Sequence, residues 1–497
     1  MQNIAFLKTT MRKLFYLIIL SFLTIPNVIK AQKIGILNRE KTDKIDRLLN
    51  LYDTFGELSG VVFVAQDGKI IYKKAFGEAN QEWKINNTTD TKFRIGSLTK
   101  QFTAAIILQL EEEGKLKIKH TIADYLPYYR KDIGKKVTLH QLLNHTSGIP
   151  NYTNHLDFVN SAVRSHVPTE KLVTEYCSDD LEFQPGERFK YNDSGYAILG
   201  AIIEQVTGET FETNLKKRIL SPLEMTDSGY DSPYTILDKR ASGYQKVGFQ
   251  YINAMFIDIS IYNATGGMYS TVDDLYKWNK ALNGEAILSK RAKKKMFSSN
   301  KIDRYGYGWH IEDTPTNING SETTKAYHPS KISGFASVNI KLIEHNHTVI
   351  ILSNSDMVPV NEIGEKLVAT LYDLPYDLPR KSIIPIMLQS IEKQGIEVAI
   401  QGYKNLKIAQ KDIWTIRVGE LDDLGKELVK LDKIKAALAI FTLNIEEFPK
   451  SDIPSESLAN YYEKKGEKEK ALEYYRKALE ISPNNSNVEG KIKSLEK

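Results

Sequence analysis

The chain has 497 residues, 41% of them apolar and 26% charged, with a formal net charge of +5. That length exceeds one ordinary core, so two or three domains are expected, and the apolar content excludes a disordered chain. Four of the 67 cations (Lys8, Arg12, Lys13 and Lys30) fall within residues 1–31, which hold no acid, leaving 63 basic against 62 acidic groups and no basis for a nucleic-acid partner or an anionic membrane surface.

Lys8, Arg12 and Lys13 precede an apolar run over residues 14–25, too short for a stable bilayer anchor. Residues 1–31 therefore read as a signal peptide cleaved after Ala31, with Met11 as an alternative start. This predicts an exported protein, periplasmic or secreted, with no stable membrane insertion after cleavage; a retained anchor is the competing reading. The single cysteine, Cys177, has no internal disulfide partner and reads as a small buried apolar residue. His345 and His347 flank Asn346 in a predicted hairpin turn, where two solvated histidines are expected rather than zinc ligands. No metal and no cofactor is assigned.

Further along, two β-rich runs on either side of Asp67-Gly68 predict a hairpin over residues 60–77. Ser97 is expected to open a helix running to Gly114 as its C-cap, and residues 115–300 alternate helical patterns with loops. Strands are predicted over 307–311, 336–343 and 348–353, and a helix over 361–372. Strands at both ends with helices between them predict an α+β domain over residues 32–378, one sheet built from both ends beside a mainly helical lobe, with a cleft between the lobes.

Residues 379–497 lose strand signals and show an internal repeat. Leu424, Ala437, Leu438, Phe441 and Pro449 recur 34 positions later as Leu458, Ala471, Leu472, Tyr475 and Pro483, with a weaker copy around Ala399 and Tyr403. Period, small residue and closing proline resemble tetratricopeptide repeats. Such repeats either bind a protein partner or pack on the preceding domain; both remain open.

The motif with most chemistry is Ser97-Leu98-Thr99-Lys100, which places a hydroxyl and an amine on one helical face, so that the amine can take the hydroxyl's proton. Spacing alone is weak, because Ser298, Ser390 and Ser494 are also each followed three residues later by lysine. Four further stretches set Ser97 apart: residues 142–149 (LLNHTSGI), 191–200 (YNDSGYAILG), 265–275 (TGGMYSTVDDL) and 328–335 (HPSKISGF). In order and spacing the five resemble the serine β-lactamase and penicillin-binding protein superfamily, especially its class C branch with D-alanyl-D-alanine carboxypeptidases, D-aminopeptidases and esterases. The likeness spans about residues 45–375 and implies the β-lactamase/transpeptidase-like fold.

That resemblance implies Ser97 as acylated nucleophile, Lys100 as proton acceptor or relay, and Tyr191 exchanging protons with nucleophile and leaving group. It implies an oxyanion hole from the backbone N–H groups of Ser97 and Lys331, with His328 and Ser330 on the substrate wall. His145 is read as structural, and Gly266-Gly267 as serving backbone geometry near the cleft. Two departures stand out. Asp193 replaces the family's asparagine; a carboxylate near Lys100 would raise the amine's pKa, so either Tyr191 carries more of the proton transfer or Asp193 is held protonated. Ser330 replaces the glycine of the third motif and narrows the approach of substrate. The expected function is an exported serine hydrolase acting on small-molecule or peptide substrates: D-amino-acid peptides, small esters and amides, or β-lactams. The rival is a degenerate scaffold whose repeats bind a protein partner.

Overall fold

In the computed structural model, Asp67 and Gly68 adopt φ of 50° and 70°. Asp-Gly favours this mirror-image turn because its twist matches that of the strands it joins. It connects β1 (Gly60–Gln66) to β2 (Lys69–Phe76). The described residues are 39–155, 162–247, 250–299, 304–316, 320–409, 413–483 and 485–496. The segment read as a signal peptide lies outside them. Late in the same domain come β3 (His310–Pro315), β4 (Glu322–Ile332), β5 (Phe335–Leu342) and β6 (His347–Ser353).

These strands form one antiparallel sheet in the order β3-β4-β5-β6-β1-β2, so both ends of the domain supply it. Alternate residues of β1 face opposite ways: Val62 and Val64 join the core beneath helices 39–54 and Val360–Leu371, while Val61 and Phe63 join the core shared with the helical lobe. A strand buried on both faces needs a continuous apolar run, which is what Val61–Ala65 is.

Within the helical lobe, α1 (Thr99–Glu112) is buried on most of its surface and ends at Gly114, whose φ of +73° closes the helix. Helix α2 (Ser194–Thr207) packs beside it, and segment Asn263–Gly266 lies against both: Thr103 donates to the Ala264 carbonyl (2.6 Å), and a Cβ on Gly200 would meet that of Ala264.

Three expectations change. The strand predicted over 307–311 begins at His310; Tyr307 and Trp309 are instead buried core residues in the preceding loop. The long strand β4 has no counterpart among the predicted strands, since its polar Thr-Thr-Lys stretch and Pro329 mask it. His347 is not solvated: it is buried at the start of β6, and its Nδ1 accepts the Asp67 N–H (3.0 Å), fastening one hairpin turn to another. Cys177 is buried, and the medium around it pushes its thiol pKa up.

The chain divides into two compact units. One comprises the described parts of Met1–Tyr244 and Asn253–Asp377; the other comprises Leu378–Lys497 with Gln245–Ile252. The second unit contains α3 (Ile384–Gln394), α4 (Ile396–Ala409), α5 (Val418–Lys430), α6 (Ile434–Glu447), α7 (Ile453–Lys464), α8 (Lys468–Ile481) and α9 (Ser486–Glu496). Repeat positions Leu424 and Leu458, Ala437 and Ala471, Phe441 and Tyr475 are all buried. A Cβ on Gly425 would press into the Phe441 ring; 34 residues on stands the equally small Ala459, in the core with Tyr475.

Candidate active site

Ser97 sits in a single 3-10 turn, Gly96–Leu98, that runs directly into α1. Gly96 takes φ +52°, a conformation costly for any residue with a Cβ. The turn leaves Ser97 half-buried while Lys100, one turn on, is 0% exposed. Lys100 Nζ donates to Ser97 Oγ (3.1 Å), Asp193 Oδ1 (2.6 Å) and the Thr265 carbonyl (2.9 Å). Three acceptors match the three N–H bonds of an ammonium, which has no lone pair left for a proton. Burial works against the charge, but the Asp193 carboxylate and Tyr191 outweigh it, so the Lys100 pKa is raised above the ordinary lysine value.

Tyr191 lies beside this pair, with Lys100 Nζ 5.1 Å from its ring centroid. Its hydroxyl is buried and has no hydrogen-bond partner among the described residues. Burial raises the phenol's pKa, and the Lys100 charge pulls the other way.

The Tyr191–Ser194 segment is pinned by the loop after residue 145. Asn192 donates to the Ile149 carbonyl (3.0 Å), the Asp193 N–H donates to Asn151 Oδ1 (3.1 Å), and the Ser194 hydroxyl donates to the Pro150 carbonyl (2.6 Å). His145, at φ +58°, packs its tilted ring against Tyr191 at 4.4 Å between ring centroids, and its carbonyl accepts the Lys190 N–H (2.9 Å). It holds the tyrosine in place from behind.

His328 is 1% exposed. Burial holds its pKa, like that of His145, well below the ordinary histidine value, so both rings are neutral. Its Nδ1 donates to the Pro329 carbonyl (2.7 Å), which leaves Nε2 to accept from the Tyr305 hydroxyl (3.1 Å). With both nitrogens engaged, His328 backs the Tyr191 ring, 5.9 Å away between centroids.

The opposite wall is β4. It pairs with β3 only from Glu322 to Tyr327, so His328–Ile332 run on past that partner. Pro329 has no N–H and fits where a strand faces away from its ladder; period-two alternation places the Lys331 N–H along the same edge as the Pro329 nitrogen. The exposed Lys331 side chain takes no part. Ser330 and its cross-strand neighbour Ser337 both face the Ser97 turn: Ser337 donates to the Ile95 carbonyl (3.0 Å), and Ser330 Oγ accepts the Ser97 N–H (2.6 Å). Gly266 backs onto Gly96, and a Cβ there would lie 3.4 Å from the Gly96 carbonyl carbon.

The structure thus gathers Ser97, Lys100, Tyr191, Asp193 and Ser330 around one point. Thr265, Gly96 and Tyr305 belong to the same assembly. The Thr265 carbonyl was hidden because a backbone acceptor leaves no mark on residue type; Tyr305 falls outside every motif.

Residues 48–370 match the family model described as Beta-lactamase, and residues 457–485 match that of the tetratricopeptide repeat. The chain belongs to the Beta-lactamase family. Within it, the chain is 32% identical to the putative penicillin-binding protein PbpX of Bacillus subtilis, over 55% of this chain and 68% of that protein. It is 26% identical to the teichoic acid D-alanine hydrolase of Staphylococcus aureus, over 65% of this chain and 80% of that one. A crystal structure of a penicillin-binding protein from Bacillus halodurans superposes with TM-score 0.58 at 26% identity, covering 65% of this chain and 98% of that one. The β-lactamase/transpeptidase-like fold is therefore the fold of this domain. Among the described residues no helix is long and apolar enough to cross a membrane.

Proposed function

We propose that this chain is an exported serine hydrolase that transfers an acyl group to Ser97 and then to water, with D-amino-acid esters and amides as its acyl donors. The observation that carries the reading is the hydrogen bond between Lys100 Nζ and Ser97 Oγ inside a fully buried lysine's shell of acceptors. In this scheme Ser97 Oγ attacks the carbonyl carbon, and the Ser97 proton passes to the Lys100–Tyr191 pair once that pair has lost a proton. Tyr191, whose hydroxyl is otherwise unpartnered, protonates the leaving oxygen or nitrogen. Water then attacks the acyl-enzyme, and the reverse transfer regenerates Ser97. The N–H groups of Ser97 and Lys331 stabilise the negative oxygen of each tetrahedral intermediate. The name of the Staphylococcus aureus relative, a teichoic acid D-alanine hydrolase, supports a D-amino-acid acyl donor.

A scaffold role without catalysis is the second reading. It draws support from the Lys100–Asp193 ion pair and from the Ser330 hydroxyl on the Ser97 N–H. Labelling with a fluorescent penicillin and with a general serine-hydrolase probe, followed by assay on D-alanyl esters and amides, separates the two. Hydrolysis predicts labelling abolished in Ser97→Ala; equal signals from wild type and Ser97→Ala sink it.

A further inference from the structure

The oxyanion hole expected at Ser97 already holds an oxygen. Ser330 Oγ lies 2.6 Å from the Ser97 nitrogen and accepts its N–H. The same atom lies close against Gly96, where even a methyl group would collide with it. Ser330 is 6% exposed, so this hydroxyl is not a loose surface group. An acyl carbonyl attacked by Ser97 Oγ must place its oxygen within hydrogen-bond reach of that N–H, in space the hydroxyl now fills.

We infer that Ser330 is a gate on the oxyanion hole: its hydroxyl occupies the carbonyl-oxygen position in the resting protein and must rotate away before Ser97 can be acylated. The inference rests on the acyl-enzyme reading above. The cost falls on binding and on the barrier together, because the Ser97 N–H exchanges one hydrogen bond for another instead of gaining one. Activated esters, which react through an early transition state with little charge on the carbonyl oxygen, lean least on the hole, whereas amides, whose late transition state carries a nearly full oxyanion, are held back most by the hydroxyl. Ser330 is thus a determinant of specificity, in a position where glycine would leave the hole open.

Phenylboronic acid tests this directly. The Ser97 oxygen bonds to boron, the Ser97 proton is released to solvent, and boron becomes a tetrahedral anion with one B–OH in the hole. Binding to the full chain is followed by boron-11 NMR and calorimetry. Ser330→Ala removes the hydroxyl but keeps the Cβ, and Ser330→Gly removes both. Both should bind the boronate on the order of tenfold more tightly than wild type, the value of one net hydrogen bond. They should also raise kcat/KM for p-nitrophenyl acetate, with the larger relative gain on the corresponding anilide. Affinities for Ser330→Ala equal to or weaker than wild type overturn the gate while leaving Ser97 as nucleophile. If wild type binds boronate no better than Ser97→Ala, the acyl-enzyme reading fails, and the gate with it. Urea midpoints identify a variant that does not fold; in that case Ser330→Cys, whose larger sulfur fills the hole more fully, must bind boronate more weakly than wild type, and tighter binding overturns the proposal.

Discussion

Asp193 governs when Lys100 can act as a base. A carboxylate 2.6 Å from the amine stabilises the ammonium, so the neutral amine is populated only at higher pH. Removing that charge lowers the lysine pKa and moves the rising limb of the pH–rate profile toward acid. Asp193→Asn should therefore shift the limb of kcat/KM on a p-nitrophenyl ester down by about one to three units, raising the rate at neutral pH; an unmoved limb refutes the assignment. The buried histidines give a second residue-scale prediction. His145 and His328 are neutral in the fold with pKa values well below 6.5, whereas the unfolded chain protonates near that value. Between those limits the unfolded state binds more protons, so stability falls as pH drops below about 6.5, by at most about 1.4 kcal/mol per pH unit for each histidine. Urea midpoints between pH 7 and pH 5 measure it; a flat profile would mean the rings are not held neutral.

At the scale of elements, the turn entering α1 depends on Gly96. Its φ of +52° and its contact with Ser330 leave no room for a side chain. Gly96→Ala should cost about 1–3 kcal/mol in backbone strain and abolish labelling of Ser97, read by urea unfolding and by the fluorescent penicillin. Wild-type labelling of that variant would show that the turn tolerates an ordinary conformation. In the repeats, Gly425 plays the corresponding part between α5 and α6. Gly425→Leu forces its side chain into the Phe441 ring and should destabilise that unit by roughly 1–3 kcal/mol, while Ser97 still labels.

Across the whole molecule, the two units carry separate cores: residues 383–458 and 459–492 build those of the repeats, and none of their members belongs to the cores around the sheet. A chain ending at Asp377 is therefore expected to fold and to acylate Ser97 on a small ester. Loss of cooperative unfolding in that chain would make the repeats a packing element of the hydrolase domain. The described part of segment Gln245–Ile252 groups with the repeats, and no pattern in the sequence announces this.

Much of the fold was legible because its signals are local. Asp67-Gly68 dictates a hairpin through its own backbone preferences, Val61–Ala65 declares a strand buried on both faces, and a 34-residue period declares stacked helix pairs. The nucleophile motif was legible for the same reason, since Ser97 and Lys100 are one turn apart. Other features depended on partners far along the chain. His347 looks like a turn residue until Asp67, 280 positions away, is seen to donate to it. His328 gives no sign of its partner until Tyr305 is seen to donate to its Nε2. By itself the sequence determined the family pattern, the candidate nucleophile and the presence of Asp193 and Ser330. The tertiary structure alone decided that Asp193 pairs with the lysine and that the Ser330 hydroxyl rests on the Ser97 N–H, because hydrogen bonds across 93 and 233 residues are set by packing rather than by spacing.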